Sequence, residues 1–191
     1  MSTVIKHFTR AELEAGLDLV RQSPRDAGTL ELIVRRPAVE QRETLESGEL
    51  TPTEGLVGDS WRRRHGDHSL DPRTQITLMN ARAASLVAAD RSRWALAGDQ
   101  LFVDFDLSGE NLPPGTQLTI GSAVLEVSDE PHRGCAKFVS RFGLDAMKFV
   151  NSPVGRELNL RGIYVLVVRA GTVRVGDEVR KLVRSVVPSA T

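Results

Sequence analysis

The chain is short of cysteine, of net charge and of long apolar runs. One cysteine, Cys135, occurs in 191 residues. A single cysteine excludes an internal disulfide framework and fits a reducing compartment. Lys plus Arg number 25 and Asp plus Glu number 25, a formal net charge of zero. Such a balance exerts no global pull toward nucleic acid or an anionic membrane, although local patches can still bind anions. The longest apolar run, Ile163 to Val168, is far short of the ~20 residues that cross a bilayer. Met1 to Phe8 contains no apolar signal core. These absences predict a cytoplasmic protein with no nucleic-acid or membrane partner. The sequence also lacks a Gly-rich dinucleotide fingerprint, a P-loop, a G-x-S-x-G elbow and an H-E-x-x-H zinc motif.

What is present is ordinary globular composition, 40% hydrophobic and 26% charged. A chain of this length forms one domain and buries roughly 70% of its unfolded surface. Residues 9–22 read as a surface helix: Thr9 caps it, Glu12 lies three residues on, and Leu13, Leu17 and Val20 share a face. Leu30 to Val34 reads as a strand ended by Pro37, and residues 44–60 as turns joining short strands. Residues 61–75 show no obvious element. Ile76 to Met79 is a short apolar run, and Asn80 caps a helix through Ala89.

After Gly98-Asp99 the texture changes. Leu101–Phe105, Gln117–Ile120, Ala123–Val127, Ile163–Arg169 and Thr172–Val175 are short β-rich runs separated by Gly, Pro and Asp. Closely spaced short strands predict a barrel or sandwich, mainly β with peripheral helices. One helix interrupts the series, from about Ala136 to Val150, with Phe138, Phe142, Ala146 and Phe149 on one side and Pro153 ending it. The expected organisation is a helical extension over 1–29, a barrel domain over 30–185 and a flexible tail over 186–191. The acidic pairs Asp104/Asp106 and Asp129/Glu130 fall at strand ends and turns and match no catalytic spacing.

The stretch Glu130-Pro131-His132-Arg133-Gly134-Cys135-Ala136-Lys137-Phe138 carries the chemistry. A strand ends before it and a helix begins near Cys135. A cysteine in a first helical turn faces unpaired N–H groups and the positive end of the dipole, and Arg133, Lys137 and Arg141 add positive charge. Both effects favour the thiolate. Gly134 removes bulk beside the sulfur, so a large ligand could approach the backbone. The competing reading is a small buried hydrophobe. A third is zinc: His65 and His68, with His132 and Cys135, offer three imidazoles and a thiolate. Against zinc stand the lack of a second cysteine and the adjacent Arg62-Arg63-Arg64. That arginine run reads either as a solvated loop or as an anion contact.

Several segments, in order, resemble the MOSC family, named for the C-terminal domain of molybdenum cofactor sulfurase. Gly55-Leu56-Val57-Gly58-Asp59 is similar to its early Gly-Asp turn, and Gly109-Glu110-Asn111-Leu112 to its G-E-N-L element. Ile120 to Val127 resembles a family strand pair, and Cys135 stands at the family's cysteine. Arg161-Gly162-Ile163-Tyr164 and Val173 to Asp177 resemble the closing hairpin. The resemblance spans roughly residues 30–180. It departs at the cysteine, where Gly134 replaces the usual proline, and at His65-Gly66-Asp67-His68, where relatives carry a His-His-Gly-Gly run.

The resemblance implies a closed β-barrel with peripheral helices. It implies a molybdenum cofactor (molybdopterin) with Cys135 as metal or sulfur ligand. The residues chemically suited to that group are Arg133 and Lys137 as phosphate or thiolate partners, with Arg141 near them, and Asn111 as a pterin or loop hydrogen-bonder or else a turn former before Pro113-Pro114. His132, whose ordinary pKa lies near 6.5, is a proton shuttle or else a turn residue bonding backbone. The implied activity is an oxidoreductase on N-hydroxylated or related small molecules, with electrons from separate proteins. The alternative is a non-catalytic carrier of sulfur, as a persulfide supplied by a sulfur donor, or of the cofactor itself. The chain has no room for the pyridoxal phosphate domain fused to some relatives, so no such cofactor is expected.

Overall fold

A computed structural model describes residues 6–64 and 70–182. In chain order its elements are α1 (Arg10–Ala15), α2 (Leu17–Arg21), β1 (Ala27–Arg35), β2 (Glu43–Leu45), β3 (Ser47–Thr51), β4 (Gly55–Leu56), α3 (Trp61–Arg64), β5 (Ile76–Asn80), α4 (Ala81–Ala88), β6 (Leu101–Asp104), β7 (Gln117–Ile120), β8 (Ala123–Val127), α5 (Ala136–Phe142), α6 (Leu144–Val150), α7 (Pro153–Glu157), β9 (Ile163–Arg169), β10 (Gly171–Arg174) and β11 (Glu178–Leu182). Two 3-10 turns, Pro72–Thr74 and Arg91–Ala97, precede β5 and β6.

The strands close on themselves in the order β1-β6-β5-β9-β8-β7-β11, and β11 pairs back onto β1. This is a closed, seven-stranded mixed barrel, as the short-strand pattern predicted. All its pairings are antiparallel except β5–β6, which the crossover through α4 makes parallel. A separate ribbon of β10, β3 and β4 lies beside it.

Alternation sorts the strands between two cores. Ile76 and Leu78 on β5, and Leu101 and Val103 on β6, enter the barrel; Met79 and Phe102 face the outer helices. On β1 the strict period fails. Its register against β6 shifts between Leu30 and Leu32, so Leu30 and Ile33, three residues apart, both point inward. Closure depends on Ala27 to Thr29 pairing with Glu178 to Arg180. The barrel therefore begins within residues 1–29, at Ala27, and ends in β11, a strand that the short-strand pattern does not mark.

The helices pack outside. Thr9 and Glu12 form the predicted capping box, and Leu13, Leu17 and Val20 are buried, but the helix breaks at Gly16. Asn80 caps α4 by accepting from the Ala83 N–H. The phenylalanine helix breaks at Gly143, where α5 gives way to α6; Phe138, Phe142, Ala146 and Phe149 share the outer core. Pro153 is the first residue of α7, a position where its missing N–H is harmless.

Candidate functional site

Two Gly-Asp turns build the floor of the site. Gly58 and Gly98 have φ of 82° and 92°, a region that costs a Cβ-bearing residue energy. Each turn delivers the next residue, an aspartate, into the interior. Asp59 takes Arg36: the guanidinium donates to Oδ2 and Oδ1 at 2.9 Å each, and the Arg36 N–H adds a third bond to Oδ2. Arg36 Nη1 also donates to the Gly98 carbonyl at 2.6 Å. Asp99 takes Arg161, whose Nη1 donates to Oδ2 at 2.6 Å while Nη2 reaches the Ala97 carbonyl. Both carboxylate side chains are fully buried. Each arginine is thereby held at the wall of a cavity of about 390 Å³ lined by the segment after β1, by Thr77 of β5, Tyr164 of β9 and residues of α5.

Cys135 and His132 line that cavity, together with Lys137, Arg141, Arg42 and Tyr164. Cys135 is exposed and stands just before α5, as its N-cap rather than in its first turn; its carbonyl accepts from the Phe138 and Val139 N–H groups. The buried-hydrophobe reading of this cysteine therefore fails. Arg141 sits two turns into the local structure, with Nη1 on the Leu96 carbonyl at 2.9 Å. Among the described residues, Glu40 is the sole carboxylate lining the cavity, against five cations.

His132 is almost enclosed. Its ring packs on Tyr164 with centroids 4.5 Å apart, and its Nδ1 lies 3.6 Å from Asp99 Oδ1. Burial, and then the nearby Arg161 and Arg36 charges, push its pKa well below the ordinary histidine value, so the ring is neutral at pH 7. The facing carboxylate does not reverse this, because Asp99 is already paired with Arg161. Burial likewise raises the Tyr164 phenol above its usual range. Burial and the adjacent Arg141 charge lower Arg42, and its Nε is buried without a partner.

Two predicted residues fall elsewhere. Arg133 is exposed and lines a second, smaller cavity of about 150 Å³ with Asn151 and Arg156. Asn111 is buried: its Nδ2 donates to the Arg25 and Asp106 carbonyls, and its Oδ1 accepts from Lys181 Nζ at 2.7 Å. Its amide thus fixes a loop to β11 and is engaged away from the Cys135 cavity. Gly134 is also differently employed. Asn151 brackets its backbone through N–H and carbonyl, and a Cβ there would lie 3.0 Å from Val150. Its missing side chain makes room for α6, not for a ligand. Among the described residues no group of three or more His, Cys, Asp or Glu could hold a metal ion. His65 and His68 of the zinc alternative lie outside the described residues, as does the tail over 186–191. Arg63, of the triple-arginine run, donates to the Pro37 carbonyl at 2.6 Å.

Arg36, Arg42, Arg161, Asp59, Asp99 and Tyr164 were not singled out from sequence. The signals in sequence are two of its four Gly-Asp dipeptides, Gly58-Asp59 and Gly98-Asp99, and Arg161-Gly162 in the hairpin resemblance.

The described residues form a closed, strand-rich barrel with one exposed cysteine in a cavity lined by cations. The MOSC domain profile matches residues 65–180, more than half of the chain, and the protein belongs to that family. Among solved structures, YuaD from Bacillus subtilis superposes with a TM-score of 0.54 at 17% identity, covering 80% of this chain and 94% of its own. YiiM from Escherichia coli superposes with a TM-score of 0.54 at 19% identity, covering 82% and 71%. A crystal structure of a hypothetical protein reaches 0.58 at 17% identity, covering 87% and 71%. These likenesses establish the fold. No curated protein matches the chain. Among the described residues no helix is long and apolar enough to cross a membrane.

Proposed function

We propose that the Cys135 cavity holds a molybdenum pterin cofactor and that the protein is an oxidoreductase acting on N-hydroxylated or related small molecules. The observation that carries this reading is an exposed thiol at the mouth of a cavity of about 390 Å³ that five cationic side chains line against one carboxylate. That volume lies in the range of small-molecule sites, roughly 300–1,000 Å³. The donor set fits the group: a soft thiolate suits molybdenum, and guanidinium and ammonium groups suit a phosphate. The Nε of Arg42 is a buried further donor with no partner among the described residues.

In this reading Cys135 ligates the metal, and Lys137, Arg141 and Arg42 hold the anionic part. The cofactor supplies two-electron redox chemistry at the metal. The chain supplies the rest. Arg36 and Arg161, paired with Asp59 and Asp99, keep the wall rigid, and the excess positive charge that favours anionic ligands comes from Arg42, Lys137 and Arg141. Neutral His132 accepts a proton in the cavity, and Tyr164 packs against its ring and limits water access. Electrons come from a separate protein, since the chain carries no haem, flavin or iron–sulfur motif.

The test is protein made in a host that produces molybdopterin. Molybdenum and pterin should co-purify with the wild type, and Cys135→Ser should lose the metal. Repeated purification without either rules the reading out. The second reading, a sulfur carrier, is favoured by the open position of Cys135; a persulfide on Cys135 in protein free of molybdenum would establish it.

A further inference from the structure

The cavity cations are not electrostatically alike. Arg36 and Arg161 each have a fully buried aspartate behind them. Arg42, Lys137 and Arg141 instead converge on one carboxylate, that of Glu40. Arg141 Nη2 donates to both of its oxygens, at 3.0 and 2.9 Å. Lys137 Nζ lies at 3.5 Å and Arg42 Nη1 at 3.6 Å. Three cations against one carboxylate leave a local excess of two positive charges.

The two sides of this contact differ in how firmly they are built. Arg42 and Arg141 are only 15% exposed, and Arg42 Nε is buried with no partner. Glu40 is 58% exposed and sits in the β1–β2 connection with φ of 59°, which few non-glycine residues adopt. Arg42 and Arg141 form the enclosed side of the contact, while Lys137, 67% exposed, and Glu40 form its open side. A carboxylate has two oxygens and leaves Arg42 Nε unsatisfied. A tetrahedral oxyanion has enough acceptors for the Arg141 fork, the Lys137 ammonium and Arg42 Nε together.

We infer that Glu40 is an internal competitor for an anion site: a dianionic tetrahedral oxyanion, free or as a phosphate monoester, binds between Arg42, Lys137 and Arg141 by displacing its carboxylate. The inference rests on reading this cavity as a ligand site, and not on which cofactor fills it. Ala38, Val39 and Gln41 line the same cavity, so release of Glu40 also frees one wall of the mouth.

The test is calorimetric titration of the cofactor-free full chain with inorganic phosphate at low ionic strength. Wild type should bind weakly, and Glu40→Gln about tenfold more tightly, the effect of removing one charge-assisted contact from the competing side. Arg42→Gln in the Glu40→Gln background should abolish that gain. Because Arg42 is largely enclosed, Lys137→Gln, at a side chain 67% exposed, is the second variant and should weaken binding severalfold. Equal affinity of wild type and Glu40→Gln, or no phosphate binding by either, overturns the inference. Tight phosphate binding by Glu40→Gln in a protein that never retains molybdenum or pterin supports the anion site while removing the cofactor reading. Protein loaded with the pterin cofactor separates the sources. If loading abolishes phosphate binding, the occupant is the cofactor's monoester; if binding persists, it is a free oxyanion.

Discussion

His132 Nδ1 faces Asp99 Oδ1 across 3.6 Å, and both atoms are buried without a hydrogen-bond partner. The separation is too long for a direct bond, and the two lone pairs would repel if the nitrogen were bare. A neutral imidazole so placed carries its proton on Nδ1 and leaves Nε2 as the acceptor. Nitrogen-15 spectra of the wild type near neutral pH should therefore show His132 as the Nδ1–H tautomer. An Nε2–H tautomer would remove its proposed role as a proton acceptor.

The same burial makes stability depend on pH. The folded-state pKa of His132 lies well below 6.5. Between that value and the unfolded one the unfolded chain binds the extra proton. The contribution of neutral His132 is thus complete above about pH 6.5 and is lost as pH falls toward the folded-state value. Unfolding free energy should decline by up to about 1.4 kcal/mol per pH unit below that point. His132→Gln should flatten this part of the profile, and an unchanged slope would contradict it.

Asp59 and Asp99 should be structural anchors of unequal worth to surface pairs. Removing the carboxylate leaves a guanidinium that is only 13% (Arg36) or 8% (Arg161) exposed without its charge partner. Asp59→Ala and Asp99→Ala should each cost about 3–5 kcal/mol in denaturant unfolding. Glu178→Gln, which breaks an ion pair whose two side chains are 56% and 53% exposed, should cost less than about 1 kcal/mol.

Gly134→Ala tests what the glycine is for. A Cβ would lie 3.0 Å from Val150 Cγ2 and 3.2 Å from Asn151 Nδ2. Either side chain would have to shift by a few tenths of an ångström, so the substitution should destabilise the fold by about 1 kcal/mol. It should also disturb the Asn151 bracket that sets the start of α5, seen as altered amide shifts for Cys135 and Ala136. A neutral substitution would return Gly134 to the role of an open approach for ligand.

Much of the local structure was written in short stretches of sequence. The Thr9–Glu12 capping box, the Asn80 cap, the phenylalanine face of α5 and α6 and most barrel strands depend on residues within a few positions of one another. Their signals are propensity and period, which short windows contain. The same windows placed Cys135 between a strand and a helix, with Lys137 and Arg141 following it onto the cavity wall.

Closure and the site's electrostatics were not local. The barrel is sealed by Ala27 against Arg180. Arg161 meets Asp99 across 62 positions, and Arg141 meets Glu40 across 101. No periodicity links such pairs, because chain distance says nothing of where two buried charges meet once the barrel has closed. The same reason sent Arg133 and Asn111 elsewhere. Sequence placed Arg133 beside Cys135, but an irregular turn directs neighbouring side chains apart, and Asn111 found its partners in Arg25, Asp106 and Lys181. Sequence alone determined a series of short strands, fitting a barrel or a sandwich, with one cysteine at a strand-to-helix junction. The tertiary structure decided which cations surround that cysteine, because burial and carboxylate partners, not proximity along the chain, fix where a charged side chain can rest.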